Sequence, residues 1–299
     1  MGYETRISKA FEGALKLPLS DNSKYVLFSD CHRGVGTSND NFLKSQHLYF
    51  AALQHYYQNN FTYIELGDGD ELWENRSFDR ILEIHSNVFW LLSQFYYQKR
   101  LYLLYGNHDI VKQNSSFATL KCKAYYCDAT QCYLPLFPGI TFQSGIILWD
   151  KNHKKDIYLT HGHQADFFNS TLWKTARFLV RYVWGPLEQI GFSNPTSAAR
   201  NHTKKQKIEE RLTRWAKNEN HILITGHTHR PMLGTKDSPY FNTGSCVHPR
   251  CITCIEIEHR CLTLVKWCLD IHEDMSLYVS REELAGPICV DEYLSLIHI

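Results

Sequence analysis

Five short apolar runs, each breaking off into a cluster of Asp, Asn, Gly or His, constrain this chain more than any other feature. They are Tyr25 to Ser29, Phe61 to Leu66, Leu101 to Tyr105, Ile157 to Thr160 and His221 to Thr225. Short apolar runs bounded by turn formers read as buried strands. The clusters that follow are Asp30-Cys31-His32, Gly67-Asp68, Gly106-Asn107-His108-Asp109, His161-Gly162-His163 and Gly226-His227-Thr228-His229. Between the first three runs lie segments of helical spacing: Phe42, Leu43, His47, Phe50, Ala51, Leu53 and Tyr56, then Ile81, Leu82, His85, Val88, Phe89, Leu92 and Phe95. Strand, helix and strand in alternation predict parallel pairing with helices outside. Later runs, Tyr240 to Asn242, Cys251 to Ile257 and Cys261 to Trp267, are spaced like antiparallel neighbours, so an α/β fold with mixed sheets is expected.

Ligands in α/β sheets gather at the carboxyl ends of strands. Five strand ends therefore carry metal-binding side chains to one place. In Asp30-x-His32 and His227-x-His229 the spacing of two puts both side chains on one side of an extended backbone, so each pair is expected to grip one cluster. The glycines before Asp68, Asn107 and His227 permit tight turns. Each motif alone is common by chance, and their joint order carries the reading.

In that order the five clusters resemble the signature of the calcineurin-like metallophosphoesterase superfamily, over residues 30 to 229. The resemblance implies a four-layer α/β/β/α sandwich with two mixed sheets, and a dinuclear centre at the sheet edge. By motif position Asp30, His32 and His229 would hold the first metal, Asn107, His161 and His227 the second, and Asp68 would bridge them. Two cations about 3.5 to 4 Å apart can share a hydroxide nucleophile and clamp an in-line phosphoryl displacement. A nitrogen and oxygen donor set without thiolate suits manganese, iron, zinc or cobalt, with manganese favoured. His108 is expected beside the reacting phosphate as an acid, with Asp109 fixing its tautomer. Arg33 is either a phosphate clamp or a surface arginine.

The whole of 1–299 reads as one such domain, with a helical cap insertion over 166–217 and a tail over 270–299 that carries no motif. From Asp166 to Lys217 there are ten Lys and Arg against four Asp and Glu, a net of +6 in a chain whose total is +1. A basic lid over an anionic substrate fits this asymmetry, with Arg200, Lys204, Lys205 and Lys207 the densest cluster, and so does a solvated helix face. The cap is expected as two helices broken at Gly185-Pro186 and at Ser193-Asn194-Pro195. Its first helix has two apolar stripes, one of Leu172, Ala176, Leu179, Val183, Leu187 and Ile190, the other of Trp173, Val180 and Trp184. The second stripe, with Phe167 and Phe168, is available to an apolar substrate moiety or a membrane surface, unless burial or a dimer contact takes it.

Gly67-Asp68-Gly69-Asp70-Glu71-Leu72-Trp73 resembles the Gly-Asp-x-x-Glu-x-Trp stretch of UDP-diacylglucosamine pyrophosphatases. That branch typically has Gly-Asn-Arg-Asp and His-Gly-Asp, where this chain has His108 and His163. The resemblance thus carries over the general layout of that branch and not its substrate, and a nucleotide-sugar or lipid-linked pyrophosphate is suggested by the basic and aromatic stretch from Asp166 to Lys217. Cyclic-nucleotide phosphodiesterase, nuclease and non-catalytic metal-binding scaffold are the other readings. Protein-phosphatase motifs are absent, and a nuclease would carry a broader basic surface.

A hydrophobic share of 43% with 14% aromatics supports a large core. No leader is legible in the charged first sixteen residues, and no apolar run reaches membrane-span length, so a cytoplasmic location, at most peripheral to a membrane, is expected. Ten cysteines in such a chain are expected to be reduced core residues, with a four-sulfur zinc site from Cys251, Cys254, Cys261 and Cys268 as the weaker alternative.

Overall fold

The computed structural model describes residues 1–127, 130–151, 155–184, 201–235 and 237–293. Two sheets face each other. The first runs in the order β1 (Leu15–Pro18), β7 (Gly145–Trp149), β8 (Ile157–Thr160), β9 (Ile222–Thr225) and β10 (Tyr240–Asn242). The second runs β13 (Leu277–Cys289), β12 (Cys261–Ile271), β11 (Cys251–Glu258), β2 (Lys24–Phe28), β3 (Thr62–Leu66) and β4 (Leu101–Leu104). Both are mixed: β2, β3 and β4 pair in parallel while β11, β12 and β13 add antiparallel, and β7 meets β8 antiparallel inside an otherwise parallel sheet. A separate hairpin, β5 (Ala124–Cys127) with β6 (Cys132–Pro135), stands apart.

The period-two alternation of each strand assigns its faces. Tyr25, Leu27, Ile64 and Leu66 from one sheet interleave with Ile146, Leu148, Ile222 and Ile224 from the other in the central core. Val26, Phe28, Tyr63 and Leu103 point the other way, onto α2 (Gln46–Gln58), α3 (Phe78–Ile84) and α4 (Ser86–Tyr97). Leu223 and Tyr240 meet α1 (Tyr3–Lys9) and α8 (His202–Asn218) on the opposite outer face. The result is a helix, sheet, sheet, helix sandwich, the fold expected from the motif order. The short helices α5 (Ser115–Lys121), α6 (Phe167–Ser170) and α7 (Trp173–Leu179) complete the inventory of described helices.

Several expectations need correction. Within the tail over 270–299, which carries no motif, β13 extends the second sheet as its edge strand from Leu277 to Cys289. Strands β1 and β7 escaped notice, one short and the other followed by a polar run. Cys261 and Cys289 form a disulfide across β12 and β13. A four-sulfur zinc site is excluded, since Cys261 pairs with Glu258 and Cys268 with Cys251 at opposite ends of the same ladder. Arg200, the break at Gly185-Pro186, the one at Ser193-Asn194-Pro195, and Leu187 and Ile190 lie outside the described residues.

The expected pair of apolar stripes is redistributed. Ala176, Val180, Trp173 and Trp184 close together over Trp73, whereas Leu172, Phe178, Tyr182 and Val183 are exposed. A π turn over Val180–Trp184 follows α7, and the wider turn breaks the 3.6-residue phase on which the stripes were drawn.

Candidate metal centre

The parallel ladder continues past the ends of β2 and β3, where Asp30 N donates to Gly67 O and His32 N to Asp68 O. On the other sheet Gly226 N donates to His161 O beyond β8 and β9. Both sheets therefore feed one edge: β2, β3 and β4 bring Asp30, His32, Asp68 and Asn107, and β8 and β9 bring His161, His227 and His229. The loops touch so closely that glycine is required. Gly67 has φ +91°, and a Cβ there would lie 2.6 Å from Gly106 N, while a Cβ on Gly106 would lie 2.2 Å from Asp68 Oδ1.

The backbone at these residues is not extended, contrary to the spacing argument. Asp30, His32, Asp68, His227 and His229 all have φ between 47° and 68°. Left-handed non-glycine residues cost about 1–3 kcal/mol each and gather at functional sites. His229 converges with Asp30 and His32, while His227 converges with Asp68 and His161. The grip of one cluster by one pair expected from the spacing therefore holds for Asp30 and His32 and fails for His227 and His229, which divide as the resemblance implies.

Side-chain partners orient the donors inward. His161 Nδ1 donates to Leu66 O at 2.8 Å, so its Nε2 faces the cluster. Asp30 Oδ2 accepts from Ser29 Oγ and from His227 N, which leaves Oδ1 lying 3.0 Å from His229 Nε2 and 3.8 Å from His32 Nε2. Asp68 Oδ1 accepts from His108 N, and its Oδ2 stands 3.1 Å from His161 Nε2 and 3.8 Å from His32 Nε2, facing both sets. Among the described residues, Asp30 Oδ1, His32 Nε2, both amide atoms of Asn107, His161 Nε2 and His227 Nε2 are buried without a hydrogen-bond partner. Buried polar atoms are rarely left so. Donor atoms of this kind, aimed at shared points and otherwise unsatisfied, fit divalent cations.

The carboxylates are held in the ionised form that metal ligation needs. Burial opposes ionisation of Asp30 and Asp68, but His229 and His32 for the one, and His161, His108 and His32 for the other, hold both carboxyls well below the usual range. Burial likewise disfavours charge on His161, yet Asp68 raises it to about 9. Burial, reinforced by His161, depresses His227 despite Asp166. His163 is buried beside His161 and His227, which with desolvation keep it neutral.

Glu71 is the residue the sequence argument overlooked. Its carboxylate lies 2.9 Å from His32 Nδ1 and 2.7 Å from His108 Nδ1. A carboxylate only accepts, so both rings donate from Nδ1 and turn Nε2 toward the site. Glu71 is drawn down to about 2, the two histidines outweighing its burial. Asp109, expected in this role, is elsewhere: its Oδ1 accepts from Gly106 N and Asp68 N, and its Oδ2 pairs with Lys112. The signal for Glu71 was present in Gly-Asp-x-x-Glu-x-Trp, read there only as a branch resemblance. Trp73 of the same stretch stacks on His108, ring centroids 4.4 Å apart.

Arg33 is neither clamp nor surface residue. It is 1% exposed, with Nη1 and Nη2 each 2.9 Å from a Glu65 oxygen and Nε 2.7 Å from Asp70. Lys112 bridges Asp70 and Asp109, extending the buried ionic chain behind the metal loops. Of the basic candidates, Lys204 lies 2.8 Å from Asp166, whose carboxylate is 3.7 Å from His227 Nε2, so it stands at the site. Lys205 is half-buried near Glu209 and Arg230 instead.

A family match now fits the geometry. The chain belongs to the calcineurin-like phosphoesterase family, whose model matches residues 23–231. Metal-dependent phosphoester hydrolysis is the chemistry of that family, and divalent metal ions are its cofactors. No curated protein matches the sequence. Among solved structures, the crystal structure of Chaetomium thermophilum Vps29 is similar at 11% identity, over 87% of this chain and 96% of that one, with a TM-score of 0.39. No helix among the described residues is long and apolar enough to cross a membrane.

Proposed function

We propose that the protein hydrolyses a phosphodiester or pyrophosphate bond at a dinuclear centre. Asp30, His32 and His229 would hold one divalent cation, Asn107, His161 and His227 the other, with Asp68 between them. The observation that carries this reading is the set of buried, unpartnered donor atoms around Asp68 Oδ2. When bound, the cations supply Lewis acidity toward the phosphoryl oxygens and make a nucleophile available from water at neutral pH. Manganese, iron, zinc and cobalt all suit this oxygen and nitrogen set, and we favour manganese among them.

His108 acts as the acid. Burial works against its charge, but Glu71 and Asp68 raise its proton affinity, so the ring is poised to donate to the leaving oxygen. Glu71 fixes the tautomer, and Trp73 fixes the plane of the ring. Arg33 and Asp109 contribute by holding the loops rather than by touching substrate.

For substrate, we favour a nucleotide-sugar or lipid-linked pyrophosphate, accommodated beside the helical stretch from Phe167 to Trp184, since α8 belongs to the sandwich itself. Lys204 beside Asp166 supplies a cation for the second phosphate, and the exposed Phe167, Phe178 and Tyr182 suit an acyl group or a peripheral contact with the cytoplasmic face of a membrane. A panel of phosphomonoesters, cyclic nucleotides, nucleotide sugars and lipid pyrophosphates, assayed with manganese, tests both levels. Turnover of acylated nucleotide sugars above the rest supports the substrate. Preference for cyclic nucleotides overturns it while leaving the phosphoesterase intact, and metal binding without hydrolysis of any member makes the protein a scaffold.

A further inference from the structure

The turn after α7 meets the loop that carries Glu71 and Trp73 through a polar, part-buried and specific contact. Arg181, in the π turn after α7, donates from Nε to Trp73 O at 2.7 Å and from Nη2 to Leu72 O at 2.8 Å. Two adjacent main-chain carbonyls are thus gripped by one planar guanidinium, a geometry that a lysine cannot reproduce. Around this grip Ala176, Val180, Trp173, Trp184 and Phe168 pack onto Trp73, itself 2% exposed. Arg76 adds a second tie from the same loop to Tyr182.

What the gripped loop does makes the contact mechanistic. Glu71 Oε1 accepts from Trp73 N at 3.1 Å and Glu74 N at 3.2 Å, so the main chain of this loop aims the carboxylate that holds His108 Nδ1. The Trp73 ring covers the face of the same imidazole. His108 is therefore held on its edge by Glu71 and on its face by Trp73, and both holders hang from the pair of carbonyls that Arg181 clamps. Trp73 Nε1 has no partner among the described residues, so the side chain is there for its ring and not for its N–H.

We propose that Arg181 is a positioning residue for the acid step, tying the turn after α7 to the loop whose Glu71 and Trp73 aim His108. This rests on His108 being the leaving-group acid. Protonation matters little when the leaving group is a stable anion and greatly when it is a basic one. Loss of aim thus has a signature that loss of fold or metal does not.

The test uses the full-length manganese enzyme and aryl methyl phosphates whose leaving phenols run from p-nitrophenol to unsubstituted phenol. Arg181→Ala should retain metal and KM, keep kcat for the p-nitrophenyl ester within about threefold, and lose about tenfold or more on the phenyl ester, as expected for an ångström-scale misplacement. Arg181→Lys should not restore it. His108→Ala is the control: if it lacks the leaving-group dependence, the assignment of the acid fails. If His108→Ala has it and Arg181→Ala slows all esters equally or none, the clamp is refuted. Should Arg181→Ala lose metal or fold, Arg181→Lys decides, because it keeps the charge and stem without the fork: selective slowing on the phenyl ester with metal retained supports the clamp, and equal slowing of all esters or none overturns it.

Discussion

Replacing Glu71 with Gln isolates the contribution of charge at the point where metal ligand and acid meet. Glutamine keeps the shape and one acceptor oxygen but removes the charge that faces His32 Nδ1 and His108 Nδ1. A hydrogen bond to a charged group contributes about 1.5–3 kcal/mol. Losing it lowers the proton affinity of His108. The sign follows from the acid role. Glu71 raises the affinity, so the protonated ring survives to higher pH, and without Glu71 the basic limb of the kcat profile moves down. Because Glu71 also orients His32, metal affinity should fall about 10- to 100-fold, so the profile is measured at saturating manganese. A uniform loss of kcat at every pH, with the limb unmoved, would falsify the idea that Glu71 keeps His108 charged.

Asp68→Asn should abolish turnover and loosen both metals, since Asp68 Oδ2 faces both donor sets; elemental analysis showing full metal content with activity intact defeats the assignment. Arg33→Met strands Glu65 and Asp70 in the interior, where breaking a buried pair costs about 3–5 kcal/mol, so urea unfolding should show that loss while KM stays put. A raised KM at unchanged stability would restore the phosphate clamp. Asp70 is held at about 2, its pairing with Arg33 and Lys112 outweighing burial, against an ordinary 3.8. Its stabilisation is therefore full above 3.8 and lost as pH falls toward 2, about 2 kcal/mol in the metal-free protein. Asp70→Asn should flatten acid unfolding across that window, and an unchanged slope counts against it.

Much of the site was legible because its residues sit at strand ends, and a strand end is a local feature. Apolar runs mark the strands, glycines mark the turns, and the order of clusters marks which side chains meet. The run from Tyr25 to Ser29 alone does not say which core each face would meet: Val26 and Phe28 go to the helices and Tyr25 and Leu27 to the other sheet. What failed was everything that depended on direction after the strand had stopped. The spacing of two cannot say that Asp30 and His32 share a cluster while His227 and His229 divide between two; only the motif resemblance places that pair at different metals. Glu71 displaced Asp109 as the partner of His108, and Arg33 turned inward to Glu65 and Asp70 rather than out to solvent or substrate. Cys261 found Cys289 only because β13 folds back along β12. Hydropathy and residue type state what a side chain needs, whether burial, a charge or a metal. Which of several eligible neighbours meets that need is settled by close packing of loops from two sheets, over distances that no local pattern spans.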